Sequence, residues 1–196
     1  MVKITGGRFK GCSILTPDGD STRPTQAKIR QALFNSIQFQ IPDSRVLDLF
    51  SGSGAIGFEA LSRGATWADF YDSDTKAINA LNANQKLLGV EDESHIYTKS
   101  IESLLRPPGA SHETASLSPT RTQYDFIFAD PPYGLGWEIK LLEGFPWKTL
   151  LKEGGMFILE WSDRVLELPE TLGVLTKTRE QEYGDSVLTH YKRDLG

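Results

Sequence analysis

The sequence is poor in several things, and each shortage excludes something. One cysteine, Cys12, stands in 196 residues. Neither an intrachain disulfide nor a cysteine zinc site can therefore form. His95, His112 and His190 are scattered without metal-ligand spacing, so no metal is expected. No apolar run approaches the roughly 18–20 residues that cross a bilayer. The opening MVKITGGRFK lacks the apolar stretch of a secretory signal. These shortages predict a soluble protein of the reducing cytoplasm, with no membrane partner.

What is present suits a packed core. Apolar residues make up 39% and charged residues 24%, proportions of a globular chain, not a disordered one. Net charge is −5, but it is unevenly spread. Residues 1–40 carry six basic and two acidic residues, a net +4, and the remainder is −9. A basic segment on an acidic body is one signature of nucleic-acid contact.

Periodicity organises the chain. VKITGG and KGCSILT, divided by glycines, predict a small β-hairpin over the first 20 residues. In STRPTQAKIRQALFNSIQ, Ile29, Leu33 and Ile37 recur at helical spacing, with Thr25 as the candidate N-cap. From 45 onward strands and helices alternate. RVLDLF, TWADFY, HIYTKS, YDFIFA and GGMFILEW are the strand candidates. GAIGFEALSRG, TKAINALNANQKLLG, the start at IESLL and parts of 137–152 are the helical ones. Residues 107–122, rich in Pro, Ser and Thr, predict an exposed insertion. TKTREQEY and SVLTHYKR flank Gly-Asp as an antiparallel hairpin. The rhythm predicts an α/β fold, a mostly parallel Rossmann-like sheet of seven strands with an antiparallel C-terminal hairpin.

Two turns carry chemistry. In DLFSGSGAIG (48–57), Gly52, Gly54 and Gly57 fit G-x-G-x-x-G, which allows a tight turn at a helix N-terminus. Asp72, at the end of the second strand of the alternation, can accept from both ribose hydroxyls of an adenosine-containing cofactor. Asp48 bears on which cofactor. A carboxylate repels the pyrophosphate of NAD but favours the ammonium or sulfonium of S-adenosylmethionine (SAM).

The second turn is DPPY. Pro131 and Pro132 lack N–H groups and fix their φ, so the loop presents the Asp130 carboxylate and the Pro131 carbonyl as acceptors. Tyr133 adds a flat face for stacking. An acceptor pair beside a ring suits the exocyclic amine of a planar base. Catalysis there is positioning plus electrostatics, with Asp130 either taking the proton or orienting the amine.

D-x-F-x-G-x-G followed by a strand-end D-P-P-Y resembles the class I SAM-dependent amino-methyltransferases of nucleic acids. GGRFKG (6–11), RPTQAKIRQALFN (23–35), DLFSGSGAIGFEALSRGA (48–65), DPPYG (130–134) and YGDSVLTHY (183–191) resemble the RsmD family nearly end to end, apart from 107–122. That family methylates the exocyclic N2 of a guanine in bacterial small-subunit (16S) ribosomal RNA.

The resemblance implies SAM at Asp48, Ser51, Gly52, Gly54 and Asp72, with Ser100 and Ile101 at the adenine and S-adenosylhomocysteine as product. It implies Asp130, Pro131 and Tyr133 as the amine site. The basic charge of residues 1–40 marks them as the RNA-contacting extension, with Lys3, Arg8, Lys10, Arg23, Lys28 and Arg30 as the expected contacts, ahead of a methyltransferase domain at 41–196. The expected partner is 16S rRNA or a small-subunit assembly intermediate, met by a monomer. The chain departs from the family pattern at Ala27 and Gln31, where acids are usual, and at Ser100, where an acid or Asn is common. The competing readings are an N6-adenine methyltransferase on DNA or other RNA and, from the glycines alone, a NAD-dependent oxidoreductase.

Overall fold

Strands and helices intersperse from Arg45 to Trp161, as the periodicity predicts, and strands alone make up the described part of the chain after that. The computed structural model describes residues 1–17, 24–105, 123–162 and 167–196. Arg23 and the 107–122 segment lie outside the described residues. The chain divides into two units, Met1–Lys99 and Ser100–Gly196, and the basic N-terminal 40 residues fall within the first.

The first unit opens with β1 (Val2–Lys3) and β2 (Ser13–Ile14), paired antiparallel with Val2 opposite Ile14. Helix α1 spans Pro24–Ser36. It begins at the proline, whose fixed φ suits a first turn, so Thr25 is inside the helix and not its cap. Then follow β3 (Arg45–Leu49), α2 (Ala55–Ser62), β4 (Trp67–Asp72), α3 (Thr75–Leu88) and β5 (Ser94–Thr98). The three strands run parallel in the order β5-β4-β3. Their apolar composition follows from burial: every residue of β3 after Arg45 is buried.

The helix ends are chemically defined. Asp74 caps α3, accepting from Lys76 N at 2.6 Å and Ala77 N at 3.1 Å. A cap of this kind is worth about 1 kcal/mol. Gly89 closes the same helix in a left-handed conformation. Helix α2 lies close on β4, with the Phe58 and Phe70 rings 4.6 Å apart.

The second unit begins with a single 3-10 turn, Ile101–Leu104, where IESLL predicts the start of a helix. It continues with β6 (Tyr124–Ala129), α4 (Trp137–Gly144), α5 (Trp147–Leu150) and β7 (Leu151–Trp161). Pro146 separates the two helices. Strand β7 starts three residues ahead of its Gly154-Gly155 pair. The register against β6 shifts between Tyr124 and Phe126, absorbing the glycines as an irregularity within the strand.

Strands β8 (Thr171–Leu172), β9 (Leu175–Tyr183) and β10 (Ser186–Arg193) complete the unit. β6 and β7 are parallel, and β7, β10, β9 and β8 follow one another antiparallel. The predicted hairpin is β9–β10, turning at Gly184-Asp185. The two-residue β8 has no counterpart in the sequence reading, because two residues carry no periodicity. A run of rings forms the core of this unit: Phe145–Trp147 at 4.5 Å, Trp147–Phe157 at 4.4 Å and Phe157–Tyr191 at 6.3 Å.

Candidate functional site

The first unit carries the glycine turn between β3 and α2. Gly52 and Gly54 have φ of 54° and 75°, values that cost a side-chain-bearing residue strain. Gly54 N donates to Ser51 O at 2.7 Å and closes the turn. The two positions differ in their surroundings. A Cβ on Gly54 would meet the Phe58 ring at 2.5 Å, whereas one on Gly52 would meet nothing within 4 Å among the described residues. Gly57 answers a third demand: a Cβ there would lie 2.3 Å from the Phe70 ring. The three glycines thus serve turn geometry, open space above the turn, and helix–strand contact.

Two carboxyls flank the turn. Asp48 is buried, and its Oδ2 accepts from Gly57 N at 2.9 Å. Loss of hydration pushes its pKa from the ordinary 3.8 up to about 8, the Gly57 N–H opposing that rise and Asp72 adding to it. Asp72 Oδ2 accepts from Gly52 N at 2.8 Å, and its Oδ1 accepts from Asp74 N at 2.9 Å. A carboxylate offers about four acceptor positions, so Asp72 can hold the turn and still receive two hydroxyl donors.

Ser51 braces the turn from within. Its hydroxyl donates to Asp48 O at 2.6 Å and accepts from Tyr71 N at 3.0 Å, and its own N–H donates to Tyr71 O at 3.1 Å. The side chain is spent on joining β3 to β4, so the turn is held by Ser51, and a cofactor would not receive its hydroxyl proton.

The second unit carries the other turn. Four buried residues end β6, and Asp130 is the first exposed residue after them. Pro131 is buried, and Pro132 and Tyr133 are exposed, the tyrosine by 47%. A buried proline between two exposed polar groups holds the loop stiff while the groups it presents remain reachable. Ser100 caps the 3-10 turn, accepting from Glu102 N at 3.2 Å and donating to the Glu102 carboxylate. Ile101 is buried. The serine hydroxyl therefore serves its own turn.

Of the predicted RNA contacts, Lys3, Arg8, Lys10 and Lys28 are exposed. Arg8 is ion-paired with Glu93. Arg30 is a correction. It is 5% exposed, its Nη2 donates to Lys3 O at 2.7 Å, and its Nε lies 3.5 Å from the Glu59 carboxylate. A guanidinium so enclosed has no face left for a phosphate.

Its partner Glu59, fully buried, went unmarked in the sequence reading. It accepts from Thr5 N at 2.8 Å, Thr5 Oγ at 2.7 Å and Arg63 Nε at 2.8 Å. The signal was a lone acid inside the apolar run of α2. Among the described residues no group of His, Cys, Asp and Glu is placed to hold a metal ion, and no helix is long and apolar enough to cross a membrane.

Comparison with known proteins follows the same outline. The family model described as "Conserved hypothetical protein 95" matches residues 2–192. The chain is 37% identical over 192 residues to YlbH of Bacillus subtilis (strain 168), spanning 98% of this chain and 99% of that one. It is 32% identical over 150 residues to Ribosomal RNA small subunit methyltransferase D of Escherichia coli (strain K12), spanning 75% and 69%. The solved structure of yhhF from Escherichia coli matches with a TM-score of 0.81 at 27% identity, covering 100% of this chain and 99% of that one. The fold is that of the class I methyltransferases.

Proposed function

Since this chain belongs to the RsmD family, we propose that it transfers a methyl group from SAM to the exocyclic N2 amine of a guanine in small-subunit (16S) ribosomal RNA. The observation that carries this reading is the end of β6, where an exposed carboxylate, a buried proline, an exposed proline and a half-exposed ring follow one another. The 32% identical relative whose name gives it the small subunit as target supports the choice of RNA.

The cofactor turn fits SAM by the chemistry of its donors. Two carboxyls, Asp48 and Asp72, flank it, which suits a cation and would repel a pyrophosphate. Asp48, Gly52, Gly54 and Asp72 would hold the cofactor, with Ser51 bracing the turn. Bound there, SAM supplies an electrophilic methyl carbon on a sulfonium. Asp130 and the Pro131 carbonyl accept the two amine N–H bonds, and Tyr133 stacks on the base. An amine conjugated to a ring is a poor nucleophile, so fixing its two hydrogens and turning its lone pair is the work required of the protein. If the base lies within a helix of the RNA, it must be extruded to reach this turn.

Lys3, Arg8, Lys10, Lys28 and Arg23 would contact RNA phosphates. The reading places the protein in the cytoplasm, acting as a monomer on 16S rRNA or an assembly intermediate of the small subunit. Tritium from labelled SAM is expected to enter isolated small subunits or their precursors, at one guanine. Asp130→Ala should reduce incorporation by about 10²-fold or more. Label unaffected by Asp130→Ala, or label entering duplex DNA in preference to RNA, would overturn this assignment.

A further inference from the structure

Asn84 interrupts the apolar face of α3. It shares that face with Ala77, Ala80, Leu81 and Leu88, and it is fully buried. A buried amide must be bonded to be tolerated, and this one is. Its Oδ1 accepts from Leu15 N at 2.7 Å. Its Nδ2 donates to Leu15 O at 2.9 Å and to Ser53 O at 2.9 Å.

The pattern is specific to asparagine. Reversing the amide would set its NH2 against the Leu15 N–H and its oxygen against two carbonyls. Aspartate would lose both donors, and leucine would strand three main-chain groups.

The two segments joined by this side chain have different roles. Ser53 lies between Gly52 and Gly54, and its carbonyl belongs to the peptide whose N–H closes the turn on Ser51 O. Holding that carbonyl fixes the peptide plane at the entrance to α2. Leu15 follows β2, at the end of the hairpin that carries Lys3, Arg8 and Lys10.

We propose that Asn84 is a positioning residue for methyl transfer, a single amide that registers the cofactor turn against the N-terminal extension, so that tight cofactor binding and a docked extension require each other. This rests on the methyltransferase reading above. Linkage makes the dependence mutual: whatever loosens Leu15 weakens the cofactor, and the bound cofactor tightens Leu15.

The test uses the full chain and S-adenosylhomocysteine. Calorimetry well below the melting temperature should show Asn84→Asp binding about tenfold more weakly than wild type while still melting cooperatively. In steady state its KM for SAM should rise by more than its kcat falls. A merely structural role would lower the melting temperature and leave affinity below it unchanged. Hydrogen exchange on the wild-type protein is the second measurement, independent of any variant's folding. S-adenosylhomocysteine should slow exchange at the Leu15 amide. Wild-type affinity in Asn84→Asp, or unchanged exchange at Leu15, overturns the proposal. Wild-type protein that binds neither SAM nor S-adenosylhomocysteine overturns the methyltransferase reading first, and this one with it.

Discussion

Two buried titratable groups have pKa values shifted in opposite directions. Asp48 holds its proton to about pH 8 in the folded chain, against an ordinary 3.8. A cation seated beside it would favour the charged form. Cofactor binding near pH 7 should therefore release up to about one proton, and affinity should rise with pH up to about 8. Calorimetry in two buffers of different ionisation heat measures this directly, and equal apparent heats would rule it out. Asp48→Asn should remove the effect and bind SAM poorly. The His190 pKa is shifted the other way, and it bears on stability. Desolvation, with a smaller contribution from Arg179, lowers its pKa from the ordinary 6.5 to about 4, and neither ring nitrogen has a hydrogen-bond partner among the described residues. The unfolded chain takes up a proton first as pH falls, so stability present above pH 6.5 is lost between about 6.5 and 4. The full loss is of order 3 kcal/mol. His190→Leu should flatten that slope in denaturant titrations at pH 7 and pH 4.5, and should not destabilise at pH 7.

At the scale of elements, the glycine turn separates two effects that one motif conceals. Gly57→Ala would press a methyl into the Phe70 ring and should cost about 1–3 kcal/mol of stability. Gly52→Ala meets no atom within 4 Å among the described residues; it should cost only about 1 kcal/mol of backbone strain yet weaken cofactor binding markedly. Thermal melts with and without S-adenosylhomocysteine distinguish the two. The turn was legible in the sequence because each glycine answers a local demand, and local demands leave local signals. DPPY was legible for the same reason. The bracing done by the Ser51 and Ser100 hydroxyls was not legible, because a serine beside a ligand and a serine bonding its own main chain are spelled alike. Arg30 was misjudged because a helix shows its cation without showing whether the facing element carries an acid. Glu59 supplies that acid, and it belongs to a different helix. Asn84 could have been found: it occupies an apolar register position in α3, and a polar residue there requires partners.

For the whole molecule, charge separation is the property that matters. The acidic body would hold RNA off, while Lys3, Lys10 and Lys28 are exposed cations of the N-terminal segment. Substituting Lys10 or Lys28 by Ala should raise the KM for RNA with kcat nearly intact. Each change should lower the dependence of log affinity on log salt by about one unit or less. A substitution that lowers kcat instead would remove that residue from the phosphate set. The strand rhythm made the fold class readable from the sequence, but the line between the two units at 99/100 left no compositional mark. One small feature gains practical weight from this distribution. Cys12 is exposed in the hairpin of the basic extension, and the sequence holds no other cysteine. A single maleimide dye will therefore label the unaltered protein at one known place, beside the surface proposed to meet RNA. The natural chain comes ready for a fluorescence measurement of when, and in what order, its two substrates arrive.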